Sequence, residues 1–306
     1  MYDLTIIGGG PAGVAAGVYA SRKKLKTVLI TESFYGQSAV ASEVQNWIGT
    51  VSITGKELAE NLEKHLLAYA DNSVEIKKGE KVLSVEENEN AFIVKTDAGE
   101  YKTKTVLVAT GSHRRKLDIP GAEKFENKGI SYCASCDGPI FAGKNVSVIG
   151  GGNSALETAS QLIAYCESVT ILNRSSEFRA DPVTVKKVLQ NPKTKSILNA
   201  HLTEIKGDKF VESLVYRNGE NKKNIEIKTD GVFVEIGLIP NVEFIKDLVA
   251  LNKWNHIIVD PKNQKTSVEG IWAAGDCCDG LYHQNNIATG DAVKALEDIY
   301  MHLRAK

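Results

Sequence analysis

The chain has 306 residues, of which 42% are apolar and 25% are charged, a composition that favours a globular protein of two domains. Its 37 Lys and Arg residues nearly balance its 38 Asp and Glu residues, so the net charge gives no general attraction to nucleic acid or to an anionic membrane. The 5 cysteines are too few for a disulfide scaffold, and the sequence shows neither a secretory signal nor an apolar run long enough to span a bilayer. We therefore expect a cytoplasmic protein with no membrane partner and no nucleic-acid partner.

The first part of the chain alternates strand and helix signals. An apolar strand is predicted at residues 4–7, the turn GGGPAG follows at residues 8–13, and an alanine-rich helix leads to a second strand at residues 27–31. Short alternating segments at residues 75–101 predict small antiparallel strands, and a buried strand with the sequence VLVATG closes the unit at residues 106–111.

The glycines of the first turn have distinct structural roles. Gly8 allows the tight turn, Gly10 lets the backbone approach a pyrophosphate, and Gly13 lets the helix pack closely on the strand. Pro11 suits the first turn of a helix, whose N-terminus attracts phosphate. Glu32 directly follows the second strand, where an acid can bind a ribose hydroxyl. Together these features predict a dinucleotide-binding site.

A cysteine pair with the sequence CASCDG follows at residues 133–138. Cys133 and Cys136 are close enough along the chain to close a small ring, so the pair can cycle between dithiol and disulfide. Asp137 is adjacent and is placed to move a proton when a thiolate leaves or is regenerated. The pair therefore predicts a redox centre.

The alternative for the same pair is half of a zinc site, which requires a second pair of ligands at suitable spacing. The other cysteines are Cys166, predicted within a helix, and the adjacent Cys277 and Cys278. None of them forms a second C-x-x-C pair, so we predict no metal site. Cys166 is expected to pack in the core, and a redox role for Cys277 and Cys278 stays open.

The second part of the chain repeats the first. A strand is predicted at residues 146–149, the turn GGGNSA at residues 150–155, and a helix that reaches about residue 166. Antiparallel segments follow at residues 201–228, and a buried strand with the sequence VFVEIG closes the unit at residues 232–237. Two copies of one nucleotide-binding fold explain this repeat.

The remaining residues are too few for a third unit. They predict a turn at residues 239–241, a strand at residues 257–259 and a terminal helix at residues 289–304. They most simply complete the first unit, so the second unit is inserted into it. The chain would then cross between the units near residues 112–117 and again near residues 238–243.

These motifs together resemble those of the bacterial low-molecular-weight thioredoxin reductases over essentially the whole chain. The matching segments are residues 8–13, 36–37, 43–47, 109–111, 133–138, 150–155 and 275–276. The flavoprotein subunit of alkyl hydroperoxide reductase shares the same core. The resemblance implies an α/β fold with two Rossmann-like, three-layer ββα dinucleotide-binding domains, the second inserted into the first. Residues 1–114 and 242–306 would form the FAD-binding domain, and residues 115–241 the NAD(P)H-binding domain that carries the cysteine pair.

The resemblance also implies an electron path from NADPH through FAD and the cysteine pair to thioredoxin or a thioredoxin-like protein. Cys136 would exchange electrons with the flavin, Cys133 would attack the disulfide of the partner, and Asp137 would be the acid and base. Phe141 matches an apolar position that docks thioredoxin, and core packing explains it equally well. The family further implies a homodimer and a rotation of one domain against the other.

The cofactor contacts follow from the same motifs. The residues implied for FAD are Gly8, Gly10, Pro11, Ala12, Gly13, Glu32, Gly36, Gln37, Asn46, Ala109, Thr110, Gly111, Gly275, Asp276, Gln284 and Asn285. The residues implied for NAD(P)H are Gly150, Gly152, Asn153, Ser154, Ala155, Glu157, Arg174 and Arg179.

The choice between NADPH and NADH depends on residues 173–179, with the sequence NRSSEFR. The family's NADPH signature is His-Arg-Arg-x-x-x-Arg, in which guanidinium groups bind the extra phosphate. Arg174 and Arg179 match it, whereas Asn173 and Ser175 replace the histidine and the second arginine. This predicts weakened NADPH binding with NADH as a possible donor, and reduced ferredoxin as a further alternative.

Two other functions remain open at this point. The first reverses the electron flow, so that the flavoprotein oxidises small dithiols and passes electrons to oxygen. The second is a flavin-binding redox sensor without catalysis, which Asp137 argues against because a sensor needs no acid or base beside its cysteines.

Overall fold

The computed structural model describes residues 1–40, 44, 46–219 and 221–305, and the side chains of Val40, Ser135 and Cys136 lie outside this description. The chain divides into two compact units, one formed by Met1–His113 and Ile239–Lys306 and the other by Arg114–Leu238. The architecture is α/β with two Rossmann-like units, as predicted.

The helices and strands have the following bounds. The strands are β1 (Tyr2–Ile7), β2 (Thr27–Thr31), β3 (Val74–Lys78), β4 (Val82–Asn88), β5 (Ala91–Thr96), β6 (Glu100–Val108), β7 (Ser112–Arg114), β8 (Ile130–Ser131), β9 (Asn145–Ile149), β10 (Ser168–Leu172), β11 (Thr194–Ile197), β12 (Ala200–Gly207), β13 (Val211–Asn218), β14 (Asn224–Lys228), β15 (Gly231–Val234), β16 (Leu238–Pro240) and β17 (Ile271–Ala273). The α-helices are α1 (Pro11–Arg22), α2 (Gly55–Tyr69), α3 (Ala134–Asp137), α4 (Asn153–Leu162), α5 (Pro182–Leu189) and α6 (Asn285–Arg304). Short 3-10 helices cover Gln37–Val40 and Gly138–Phe141.

The main sheet of the first unit has the strand order β3-β2-β1-β6-β5-β4, with β17 also paired to β6. Strands β4, β5 and β6 pair antiparallel, as predicted for residues 75–101. The prediction is wrong for β3, which pairs in parallel with β2. The reason is the connection between them, because it contains α2 and a helical crossover returns the chain in the same direction.

Both faces of this sheet are buried at its central strands β1 and β2. Leu4 and Leu29 pack with α1 and α6 on one face, whereas Val28, Val106 and Ile271 contribute to a second apolar cluster. The alternation follows from the strand geometry, in which successive side chains point to opposite faces. The final helix begins at Asn285 rather than at the predicted residue 289. Gln284 has an extended backbone, and its carbonyl oxygen accepts the N–H of Ala288, which forms the first turn of the helix.

The second unit contains a parallel sheet with the order β11-β10-β9-β15-β8 and an antiparallel sheet with the order β12-β13-β14. The predicted turn at Asn218 joins β13 to β14. Helix α4 ends at Leu162, so the prediction that Cys166 lies within it is wrong. The chain leaves the helix through a turn in which Tyr165 N–H donates to Leu162 O at 3.0 Å, and β10 begins at Ser168.

Two further predictions are corrected near the end of the chain. Residues 239–241 do not form a simple turn, because Leu238–Pro240 forms strand β16, which pairs with β7. Residues 257–259 do not form a strand, because Ile257 makes only isolated bridges to Leu251 and Cys278. No helix in the described residues is both long enough and apolar enough to cross a membrane.

Candidate active site

The first glycine turn joins β1 to α1 with the tight geometry that the sequence predicts. Gly8 has a φ of +117°, and a Cβ there would lie 2.3 Å from the carbonyl oxygen of Ala109. A Cβ at Gly13 would lie 1.9 Å from the carbonyl oxygen of Gly8. A larger residue at Gly8 would therefore collide with the backbone that follows β6, and one at Gly13 would push the helix away from the turn.

A cavity of about 960 Å³ opens at this turn, within the first unit. Its volume lies in the range of roughly 300–1,000 Å³ that is typical of ligand pockets. The predicted site residues that line it are Gly8, Gly10, Pro11, Ala12, Glu32, Gly36, Gln37, Ala109, Thr110, Gly111, Gly275, Asp276 and Asn285. The sequence prediction thus identified residues that are separated along the chain and meet at one cavity.

The cavity has the features that a dinucleotide requires. A Cβ at Gly10 or at Gly36 would have no atom within 4 Å, so both positions leave open space for a ligand beside the backbone. Helix α1 begins at Pro11 with its N-terminus at the cavity and no acidic residue in its first turn, which suits a phosphate. Ser112 also lines the cavity, and its buried hydroxyl has no hydrogen-bond partner in the described part of the chain.

Asn46 and Gln284, which are also predicted FAD contacts, do not line the cavity but bond to each other. Asn46 Nδ2 donates to Gln284 Oε1 at 2.7 Å, and Asn286 Nδ2 donates to the carbonyl oxygen of Asn46 at 2.6 Å. Ser38 Oγ donates to Asn285 Oδ1 at 2.6 Å. These bonds tie Ser38 and Asn46 to the start of α6. Glu43 and Gln45, from the shared motif, lie outside the described residues.

Asp276, on the cavity wall, has a histidine partner that the sequence prediction missed. His283 Nδ1 lies 3.5 Å from Asp276 Oδ1, and the ring of His283 stacks on that of His256 at 5.8 Å. The hydrogen bond with Asp276 raises the pKa of His283, whereas burial and the charge of His283 lower the pKa of His256. No motif in the sequence links residues 256 and 283, which explains why the pair was missed.

The cysteine pair lies at the short helix α3. Cys133 directly precedes the helix and is disulfide-bonded, and the side chain of Cys136 lies outside the described residues. Ser131 Oγ accepts the N–H of Cys133 at 3.1 Å and donates to Asp137 Oδ2 at 2.6 Å. Ser131 is therefore a further residue of this centre, and the sequence prediction missed it.

Phe141 packs in the core of the second unit. It is 8% exposed, its ring lies 5.3 Å from that of Phe233, and a Cβ at Gly231 would meet it at 2.3 Å. These contacts agree with the packing role and leave little of the Phe141 ring available for docking. The neighbouring Ile140 is 69% exposed instead.

The second glycine turn joins β9 to α4 with a geometry like that of the first. Gly150 has a φ of +149°, and a Cβ there would lie 2.2 Å from the carbonyl oxygen of Glu235. A Cβ at Gly152, the residue that caps α4, would have no atom within 4 Å. Ala155 is buried at the start of α4, whereas the exposed residues of the predicted set here are Asn153, Ser154 and Glu157.

The loop after β10 is held to this turn. Asn173 is 4% exposed and its Nδ2 donates to the carbonyl oxygen of Glu177 at 2.7 Å. The N–H of Arg179 donates to the carbonyl oxygen of Gly151 at 2.7 Å. The side chains of Arg174 and Arg179 are exposed, so both guanidinium groups are accessible to a ligand.

A family model described as pyridine nucleotide-disulphide oxidoreductase matches residues 2–292. The chain belongs to this family. Family membership implies a flavin and a nicotinamide dinucleotide as cofactors. The two glycine turns, each at the start of a helix after a parallel strand, are consistent with two such ligands.

Solved structures of thioredoxin reductases match the chain over nearly all of its length. The enzyme from Lactococcus lactis has a TM-score of 0.88 and 34% identity, with 100% of both chains covered. The enzyme from T. acidophilum has a TM-score of 0.84 and 36% identity, with 98% of each chain covered. The protein is therefore of the low-molecular-weight thioredoxin reductase type in its fold.

Curated relatives that are not named as thioredoxin reductases match the chain with comparable sequence identity. An NADH dehydrogenase from Bacillus subtilis is 38% identical over 295 residues, which are 96% of this chain and 57% of the relative. A subunit of alkyl hydroperoxide reductase, that of Pseudomonas aeruginosa, is 39% identical over 306 residues, which are 99% of this chain and 58% of the relative. The chain thus spans little more than half the length of these relatives.

Proposed function

We propose that the protein is a disulfide reductase that transfers electrons from NADPH or NADH, through bound FAD, to thioredoxin or a thioredoxin-like protein. The observation that carries this proposal is the redox centre at α3, where Cys133 is disulfide-bonded and Ser131 holds Asp137 beside it. When bound, FAD would supply the chemistry that couples hydride transfer from a nicotinamide nucleotide to the reduction of a disulfide.

The proposed chemistry of the cysteines is a thiol–disulfide exchange. Two electrons and a proton open the Cys133–Cys136 disulfide. The thiolate of Cys133 then attacks the disulfide of the partner protein, forming a mixed disulfide and releasing one partner thiolate. Cys136 attacks Cys133 in turn, which frees the second partner thiol and restores the original disulfide. Asp137 would give a proton to the leaving thiolate and recover it later.

The cavity of the first unit is the proposed FAD site. Gly8, Gly10 and the start of α1 would hold the pyrophosphate, and Glu32 would bind a ribose hydroxyl. Asp276 and the neighbouring cavity residues would contact the rest of the cofactor. In the second unit the turn that begins at Gly150 would hold the nicotinamide nucleotide.

NADH is included as a donor beside NADPH for a reason specific to this chain. Ser175 stands where the NADPH signature has its second arginine, so one guanidinium contact to the extra phosphate is missing. The relative from Bacillus subtilis is named as an NADH dehydrogenase. We therefore propose that NADPH is bound less tightly than an intact signature would allow and that NADH is accepted.

An anaerobic titration followed by flavin absorbance tests the proposal. NADPH, NADH and reduced ferredoxin are compared as reductants, and thioredoxin is then added as the acceptor. We expect NADPH or NADH to reduce the flavin and thioredoxin to reoxidise it. Reduction by ferredoxin alone would contradict the proposed donor. In a separate aerobic assay, oxygen uptake driven by a dithiol with no response to NAD(P)H would support a dithiol oxidase instead.

The role of the cysteine pair is tested by Cys136→Ser. This variant should lose thioredoxin reduction while its flavin is still reduced by the nicotinamide donor. Cys166→Ala is the matched control, because Cys166 is buried in the same unit and is free. If thioredoxin reduction survived in Cys136→Ser, or was lost equally in the control, the assignment of the pair would be wrong.

A further inference from the structure

Glu235 is a buried carboxylate at the edge of the second glycine turn. It directly follows β15, and its N–H donates to the carbonyl oxygen of Ile149, the last residue of β9. Its own carbonyl oxygen is the atom that a Cβ at Gly150 would meet. Its side chain is only 7% exposed.

The carboxylate of Glu235 is bonded by the side chains of two other residues of the same unit. Arg114 Nη1 lies 2.9 Å from each carboxylate oxygen of Glu235, and Thr158 Oγ1 donates to Glu235 Oε1 at 2.8 Å. Burial raises the pKa of Glu235, and the charge of Arg114 and the hydroxyl of Thr158 oppose that change. These bonds offset the cost of holding a charge away from water.

The bonds connect parts of the chain that are far apart in sequence. Thr158 lies on α4, one residue after Glu157, and α4 begins at the glycine turn. Arg114 ends β7, and the next residue, Arg115, donates its N–H to the carbonyl oxygen of Gly237 at 2.9 Å. One carboxylate is therefore bonded both to α4, close to the turn, and to Arg114, the residue at which the chain enters the unit.

We propose that Glu235 is a positioning residue for the nicotinamide nucleotide, because its bonds to Thr158 and Arg114 set the position of α4 beside the second glycine turn. The phosphates would meet the N-terminus of α4, and the nicotinamide would lie near Glu157, so a small rotation of this helix would displace both ends of the ligand. This inference rests on the proposed function, in which the second unit binds the electron donor.

Nucleotide binding to the oxidised holoenzyme tests the inference without turnover. The dissociation constants of NADP⁺ and NAD⁺ are measured by isothermal titration calorimetry for the wild type, Glu235→Gln and Thr158→Val. Glu235→Gln keeps the shape of the side chain but removes its charge, and we expect the dissociation constant to rise about tenfold. Thr158→Val removes a single hydroxyl, and we expect a rise of about threefold.

Stopped-flow measurements separate positioning from general damage. In Glu235→Gln the rate of flavin reduction by NAD(P)H should fall, whereas the rate at which thioredoxin reoxidises the reduced enzyme should stay at the wild-type value. Glu226→Gln is the matched control, because Glu226 is a carboxylate of the same unit that pairs with Lys206 at 2.9 Å on an exposed surface. The control should leave the dissociation constants and both rates unchanged.

The results distinguish the inference from the proposed function. Wild-type dissociation constants in both Glu235→Gln and Thr158→Val would overturn the positioning role, as would an equal loss in both half-reactions. If Glu235→Gln does not fold, Thr158→Val alone decides, since it leaves the charge of Glu235 paired with Arg114. A wild-type enzyme whose flavin responds to neither NADPH nor NADH would refute the proposed function itself.

Discussion

Ser131 donates a hydrogen bond to the carboxylate of Asp137 at 2.6 Å and accepts the backbone N–H of Cys133 at 3.1 Å. Ser131 is 4% exposed, so this hydroxyl is sheltered from competing water. Asp137 N–H also donates to the carbonyl oxygen of Cys133 at 3.0 Å. The carboxylate of Asp137, which we propose carries the proton, is thus held close to Cys133, which we propose attacks the partner.

Ser131→Ala should slow the exchange between the enzyme dithiol and thioredoxin about tenfold, because a hydrogen bond to a charged group contributes roughly 1.5–3 kcal/mol. The rate is measured as flavin reoxidation after adding thioredoxin to the reduced enzyme. Ser147→Ala is the matched control, since the buried hydroxyl of Ser147 donates to Thr229 Oγ1 at 3.0 Å in the same unit. An unchanged rate in Ser131→Ala, or an equal fall in the control, would show that Ser131 does not orient Asp137.

Local chemistry explains what the sequence made predictable. The turns that begin at Gly8 and Gly150 need glycine because a Cβ there would collide with the carbonyl oxygen of the residue that follows a neighbouring strand of the sheet. The residue type itself therefore carries the signal. Cys133 and Cys136 likewise form a motif that can be recognised from residue type and spacing alone. The predicted cofactor residues and domain boundaries stay predictions, as does the homodimer.

Long-range contacts explain what was missed. Arg114 and Glu235 contact each other although most of the second unit's sequence lies between them, and His256 and His283 are separated by a segment that contains β17. Neither pair therefore has a fixed spacing that a sequence pattern could reveal. The direction of β3 depended on the crossover through α2, which periodicity within residues 75–101 does not encode.

Ser175→Arg should shift the donor preference toward NADPH. The backbone bonds of Ser175 to Asn173 and Asn199 do not use its side chain, so the loop can keep its conformation. A restored guanidinium contact to the extra phosphate should raise the ratio of kcat/KM for NADPH to that for NADH about tenfold. Ser176→Arg adds the same charge to the neighbouring, exposed position and should change the ratio little. Equal changes in the two variants would indicate a general charge effect without a specific phosphate contact.

Cys166, Cys277 and Cys278 should not react with N-ethylmaleimide in the native protein, because each is at most 3% exposed. Burial raises the pKa of Cys166, and the hydrogen bond with Cys277 raises the pKa of Cys278, so both remain protonated and unreactive. Mass spectrometry of labelled peptides checks this before and after unfolding in denaturant. Cys133, which is partly exposed, should become labelled once its disulfide is reduced. Rapid labelling of Cys278 in the native protein would contradict its burial and would favour a redox role for Cys277 and Cys278.

His283→Gln should destabilise the holoenzyme at low pH and not at high pH. The pKa of His283 is raised by Asp276, so its stabilising contribution is fully present below the unfolded value of about 6.5 and is lost as the pH rises through the folded value. The loss at about pH 5.5 should be roughly 0.2–1 kcal/mol, the range for partly exposed ion pairs, and should vanish near pH 9. His256→Gln is the control with the opposite sign, since the lowered pKa of His256 means that its protonation costs stability at low pH. Thermal unfolding midpoints across this pH range measure both variants, and an equal loss for His283→Gln at both ends would show that the ion pair with Asp276 does not contribute.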